Sequence, residues 1–112
     1  MNGTIEAIVG RYVHVGIDGE SYRIYFEENG AGIPLVCLHT AGSDARQWRH
    51  LLADEELAKH FRIVAFDMPW HGKSNPPESW DGEEYRLTTA RYTETILAFC
   101  RALRLERPVV MG

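Results

Sequence analysis

The sequence predicts an α/β fold: a mixed, mostly parallel sheet with flanking helices, five strands and two main helices in all. Three observations predict it. Two short segments, "IPLVCLH" and "FRIVAFD", are apolar on both faces, as strands covered on both sides must be. Segments with helical spacing follow each of them. Ahead of both stands an alternating pattern with a turn signal, which reads as a hairpin.

Taken in order, residues 5–15, "IEAIVGRYVHV", are rich in Ile, Val and Tyr and form the first strand. Asp18-Gly19 is a hairpin turn. In "ESYRIYFEENG", Tyr22, Ile24 and Phe26 alternate with Arg23, Tyr25 and Glu27, the pattern of a half-buried strand. The hairpin spans 5–28, and Asn29 to Gly32 turns the chain again.

Ile33 to His39 is the first doubly buried strand. Ser43 or Asp44 caps a helix from about Ala45 to Lys59, with Trp48, Leu51, Leu52 and Leu57 as its apolar stripe. Packing, rather than a pocket, is the expected place of Trp48. Phe61 to Asp67 is the second buried strand. Residues 68–87, rich in Pro, Gly, Trp and acids, lack periodicity and read as a long loop. A helix from about Thr88 to Leu105 carries Ile96, Leu97, Phe99, Cys100 and Leu103 at helical spacing, and Pro108 to Met111 begins a third buried strand. Strand, helix, strand, loop, helix, strand is the signature of parallel units with right-handed crossovers. Residues 33–112 hold these units, and no linker or repeat divides the chain.

At 112 residues, with 45% hydrophobic and 25% charged residues, the chain is one domain or part of one and not a disordered segment. A net charge of -4 and scattered Lys and Arg argue against nucleic acid as a partner. No run approaches the length of a membrane helix, and the N-terminus lacks a signal-peptide pattern. Cys37 and Cys100 sit inside apolar runs and read as buried free thiols of a reducing, cytoplasmic compartment. The five histidines show no metal-ligand spacing, and no Gly-rich phosphate loop follows a strand, so neither a metal nor a cofactor is expected.

Ligands of such sheets bind at the carboxyl ends of the strands. Those ends are His39-Thr40-Ala41-Gly42, Asp67-Met68-Pro69 and Gly112. In "LHTAGS" a turn of small residues leaves backbone N–H groups free, and these can stabilise an oxyanion if they face a cleft. The alternative is a tight structural turn with His39 bonded to a backbone group. In "FDMPWHGKS" the carboxylate of Asp67 can gather loop N–H groups and Gly72 can take positive φ, again a catalytic or a merely turn-forming arrangement.

With these pieces in order, the sequence resembles the N-terminal part of the α/β-hydrolase fold superfamily. "PLVCLHTAGSDARQW" is similar to that family's third strand and His-Gly oxyanion turn. "RIVAFDMPWHGKS" is similar to its Asp-x-x-Gly-His-Gly-x-Ser segment, and "ALRLERPVVMG" to the run into its nucleophile elbow. The resemblance covers residues 20–112 and implies a strand order of 1-2-4-3-5. Gly112 would be the first glycine of Gly-x-Ser-x-Gly, with the nucleophile two residues beyond it and the rest of the triad later still.

By that resemblance, Ala41 supplies one backbone N–H of the oxyanion hole. Thr40 and Ala41 line the pocket floor, and Trp70 is a pocket candidate. His39, Gly42, Asp67, His71, Gly72, Ser74 and Gly112 belong to the structural motifs, and no histidine here is the catalytic one. Thr40 and Trp70 both stand where the family commonly has Gly. Relatives that displace halide often carry Asn at the position of Ala41, which leans this chain toward a serine nucleophile. The implied function is hydrolysis of a small ester, lactone, thioester or C–C bond substrate. The partner of this segment would be the C-terminal remainder of the domain, in the same protein or a separate chain, and a homo-oligomer is compatible with the fold. This segment alone is expected to be inactive. The alternative is a non-catalytic binding or interaction protein on the same fold.

Overall fold

A computed structural model describes residues 3–112. Strands β1 (Val9–Ile17) and β2 (Glu20–Asn29) form the hairpin, and Asp18 and Gly19 both take positive φ at its two-residue turn. Strands β3 (Ile33–Leu38), β4 (Phe61–Phe66) and β5 (Val109–Met111) complete one sheet in the order β1-β2-β4-β3-β5. β2 pairs antiparallel with β1 and β4, whereas β3 runs parallel to both β4 and β5. Fold class and strand order match the expectation.

The hairpin begins later than its sequence pattern suggests. Residues 5–8 lie outside β1, and Ile5 is wholly exposed. Val9 pairs with Glu28, and Gly30 at φ 91 ends β2 just past Asn29, so earlier residues find no partner strand.

The sheet separates two apolar layers. On one side Val15, Ile17, Tyr22, Ile24 and Phe26 from the hairpin join Val36, Val64 and Phe66. Helix α2 (Thr89–Ala102) covers them, its first turn capped by the Thr88 side chain. Phe99 of α2 stacks on Phe66 at 4.1 Å between centroids and meets Phe26 edge-on at 5.7 Å. Full burial of such a ring contributes about 1.5–3 kcal/mol. Leu97, expected on the apolar stripe, is instead 46% exposed, because it points away from the face that carries Ile96, Phe99, Cys100 and Leu103. Arg104 and Leu105 end the segment: Leu105 N–H donates to Cys100 O and Arg104 takes φ 55, a left-handed helix stop.

On the other side Leu35, Cys37, Ile63 and Ala65 pack against Ala45 and Leu52, with Trp48 partly buried on the same cluster. The single helix expected from Ala45 to Lys59 is absent. The segment forms a 3-10 turn (Ala45–Trp48), a four-residue helix α1 (Arg49–Leu52) and a second 3-10 turn (Leu57–Lys59). Two side chains break it. Asn29 Nδ2 donates to Leu52 O at 2.8 Å, taking a carbonyl the next turn would need. Asp54 Oδ1 accepts from Leu57 N–H at 3.0 Å and so restarts the chain as a cap.

The strand at Pro108 to Met111 reads as buried from its apolar run, but the strand order implied by the resemblance makes it an exposed apolar edge, and that is how it stands. β5 is the sheet edge, with Val109 48%, Val110 43% and Met111 36% exposed. Cys37 and Cys100 are buried free thiols, as expected, and burial pushes the Cys37 thiol up to about 11.

Candidate functional site

The carboxyl ends of β3, β4 and β5 bring together the residues singled out in the sequence. β3 passes into His39 and then into a tight turn. Ser43 N–H donates to Thr40 O at 3.0 Å, and Gly42 at the third position has φ 76. Ala41 keeps a negative φ, so this is a type II turn, which needs glycine where Gly42 stands. Thr40, Ala41 and Gly42 are exposed. Among the described residues the Ala41 N–H has no acceptor.

His39 is buried and bridges two strand ends. Its Nε2 accepts from Met68 N–H at 2.9 Å, which leaves the proton on Nδ1 to donate to Thr40 O at 2.8 Å. Thr40 O therefore takes two donors, one from its own turn and one from His39. Both nitrogens of His39 serve structure.

Asp67, just past β4 and 2% exposed, gathers the neighbouring loops. Oδ1 accepts from Ala45 N–H at 2.6 Å, and Oδ2 accepts from Lys73 N–H at 2.8 Å. A carboxylate with both oxygens on backbone N–H groups is a charge-assisted tie between the two loops. Ser74 closes the second loop: its hydroxyl donates to Asp67 O at 2.7 Å and accepts from Tyr25 N–H at 2.9 Å. Asp67 N–H in turn donates to Tyr25 O. Gly72 has φ 51 and packs directly on the Asp67 carboxylate. Asp44, rather than Ser43, is the cap: its carboxylate accepts from Arg46 N–H and holds the Arg46 guanidinium. The Arg46 contacts outweigh burial and hold Asp44 down at about 2.

His71 lies beside His39, ring centroids 5.0 Å apart, with Nδ1 at 3.0 Å from Pro69 O. Trp70 takes φ 68, a left-handed conformation costly for any residue with a Cβ. Its ring points to the α2 side and packs on Tyr85, Tyr22 and Trp80 at 4.8, 6.3 and 6.4 Å. Trp70 Nε1 and Tyr85 Oη are buried without a hydrogen-bond partner among the described residues. With Arg91, Tyr22 and Trp70 line a cavity of about 310 Å³.

Gly112 follows β5, which runs in register with β3: Cys37 opposes Met111. A Cβ on Gly112 would lie 3.5 Å from that of Leu38, the residue before His39. The end of β5 therefore lies beside Leu38, two residues before the turn that begins at Thr40. Among the described residues no group of three His, Cys, Asp or Glu side chains is placed to hold a metal, and no helix is long and apolar enough to cross a membrane.

One partner of this turn escaped the sequence. Gln47 Oε1 accepts from Thr40 N–H at 2.8 Å and from Thr40 Oγ1 at 3.2 Å. A glutamine inside a predicted helix carries no signal of its own. Only the tight 3-10 geometry after Asp44 aims it back at Thr40.

Similarity to known proteins agrees with this layout. A 50-residue stretch is 42% identical to (E)-2-((N-methylformamido)methylene)succinate hydrolase of Acinetobacter baylyi, covering 45% of this chain and 18% of that protein. Another, of 52 residues, is 40% identical to pimeloyl-[acyl-carrier protein] methyl ester esterase of Pectobacterium carotovorum, covering 46% of this chain and 20% of that one. The structure superposes on epoxide hydrolase VrEH1 from Vigna radiata with a TM-score of 0.74 at 25% identity, over 96% of this chain and 32% of that one. The chain thus spans about a fifth of the curated relatives' length and a third of the solved structure's. The alpha/beta hydrolase fold family model matches residues 33–112, and with the sheet order and strand-end motifs described above, this chain belongs to that family as an N-terminal portion of its fold.

Proposed function

We propose that this chain is the N-terminal part of a serine-type hydrolase acting on a small ester, lactone, thioester or C–C bond substrate, with Ala41 N–H as one arm of its oxyanion hole. The observation that carries this is the free Ala41 N–H in the turn that follows β3, the strand whose last residue, Leu38, lies against Gly112. By the resemblance, the nucleophile stands two residues past Gly112, beyond the strand end that lies beside Leu38 and just short of the Thr40 turn. A serine there would raise its hydroxyl next to the turn that offers the Ala41 N–H. A backbone N–H fixed before reaction costs no reorganisation when negative charge develops on the substrate oxygen. The methyl ester esterase among the relatives supports acyl chemistry. His39 and Asp67, the two groups that could pass for a triad's base and acid, are fully occupied by backbone partners, so the working acid and base would come from later in the protein. The two buried free thiols fit a cytoplasmic setting.

The test is Ala41→Pro in the protein that carries the residues following Gly112. Position two of a type II turn accepts proline readily, so the variant removes the N–H and keeps the turn. Turnover of p-nitrophenyl butyrate should fall about 10²–10³-fold with little change in KM. A folded Pro variant of undiminished turnover would overturn the assignment. So would any residue other than Ser two positions after Gly112: Cys or Asp there marks a hydrolase with a different nucleophile, and any other residue favours a non-catalytic binding protein.

A further inference from the structure

We infer that Gln47 is a positioning residue for the oxyanion turn, an inference that rests on the function proposed above. The Thr40–Ala41 peptide is one rigid plane, with Thr40 O at one edge and Ala41 N–H at the other. Whatever fixes the Thr40 carbonyl aims the Ala41 N–H, and holding the amino side and side chain of Thr40 limits the φ and ψ through which that plane can turn. Every polar group of Thr40 is engaged: its carbonyl takes Ser43 N–H and His39 Nδ1–H, and its N–H and hydroxyl both donate to Gln47 Oε1. Gln47 is the side chain that holds the amino side of Thr40, and it does so across the mouth of the turn.

Its own placement is fixed in turn. The 3-10 segment that carries Gln47 starts where Ala45 N–H meets the Asp67 carboxylate, and Gln47 N–H donates to Asp44 O. A line of contacts therefore runs from Asp67 through Ala45 and Gln47 to Thr40 and ends at the free N–H of Ala41. Thr40 explains the need for it. The threonine side chain brings a hydroxyl into the turn, and Gln47 turns that hydroxyl into a second anchor.

Gln47 is exposed, so its variants keep the core intact. The experiment compares Gln47→Ala, Gln47→Met and Gln47→Glu in the complete protein, with p-nitrophenyl butyrate as substrate and a fluorophosphonate label as a second readout. Glu keeps an acceptor at the same reach; Met keeps the length and loses the acceptor. The expected result is a kcat about 10-fold lower for Ala and Met, KM within twofold, and near-parental kcat for Glu. Exchange of the Thr40 amide should quicken in Ala and Met alone. A purely structural role would lower the melting temperature and leave kcat untouched. Parental kcat in folded Gln47→Met would overturn this inference and leave the proposed function standing. A complete protein that neither turns over the ester nor takes the label would overturn both.

Discussion

Gly72 lies against the carboxylate of Asp67 so closely that a Cβ on it would overlap Oδ2, and would stand 2.8 Å from the Asp44 Cβ. That contact is why the loop after β4 can deliver Lys73 N–H to Asp67. Gly72→Ala should therefore cost about 2–4 kcal/mol: about 1 for the left-handed φ and the rest for displacing a buried, doubly bonded carboxylate. Gly82 is the control. It has φ 98 but open space around it, so Gly82→Ala should cost only about 1 kcal/mol. Urea unfolding of both variants checks this, and equal losses would refute the role given to Asp67.

Acid should weaken the fold through two carboxylates. Asp44 is held at about 2 by its contacts with Arg46, which outweigh its burial. Burial alone would raise Glu28, but Arg62 and Arg11 together outweigh it and hold it below its ordinary value. Both groups bind a proton more readily when unfolded, near pH 4. Their contribution is complete above that pH and is lost as pH falls through their folded values, so stability should decline from about pH 4 toward 2. In Arg46→Ala the Asp44 titration, followed by NMR, should move up toward the ordinary carboxylate range. A titration that stays at about 2 would show that the Arg46 side chain is not its cause.

The sequence made the sheet legible because burial on both faces leaves β3 and β4 no other pattern, and Asp18-Gly19 allows one tight turn. The carboxylate of Asp67 and the glycine beside it were legible as a turn, since few residue types satisfy those geometries. What stayed hidden was long-range. The break in Ala45–Lys59 depends on Asn29, from a different strand, reaching Leu52 O. The role of Gln47 depends on a local 3-10 twist that apolar spacing does not encode. The start of β1 depends on where β2 stops.

Trp70 reverses the usual ranking of two substitutions. In ordinary loop positions Ala is the safer replacement, because Gly adds freedom to the unfolded chain. At φ 68 the left-handed backbone costs any residue with a Cβ about 1–2 kcal/mol. The indole offsets this through its contacts with Tyr85, Tyr22 and Trp80, aromatic pairs worth about 0.5–1.5 kcal/mol each beyond the area they bury. Against that stands its buried Nε1–H, left without an acceptor among the described residues. Trp70→Ala forfeits the packing and keeps the strain. Trp70→Gly forfeits the packing and releases it. The urea midpoints should therefore fall in the order parent, Gly, Ala, with Gly about 1 kcal/mol more stable than Ala. If Ala proves the more stable, the backbone at residue 70 is not held left-handed against a cost, and the aromatic cluster has no strain to offset.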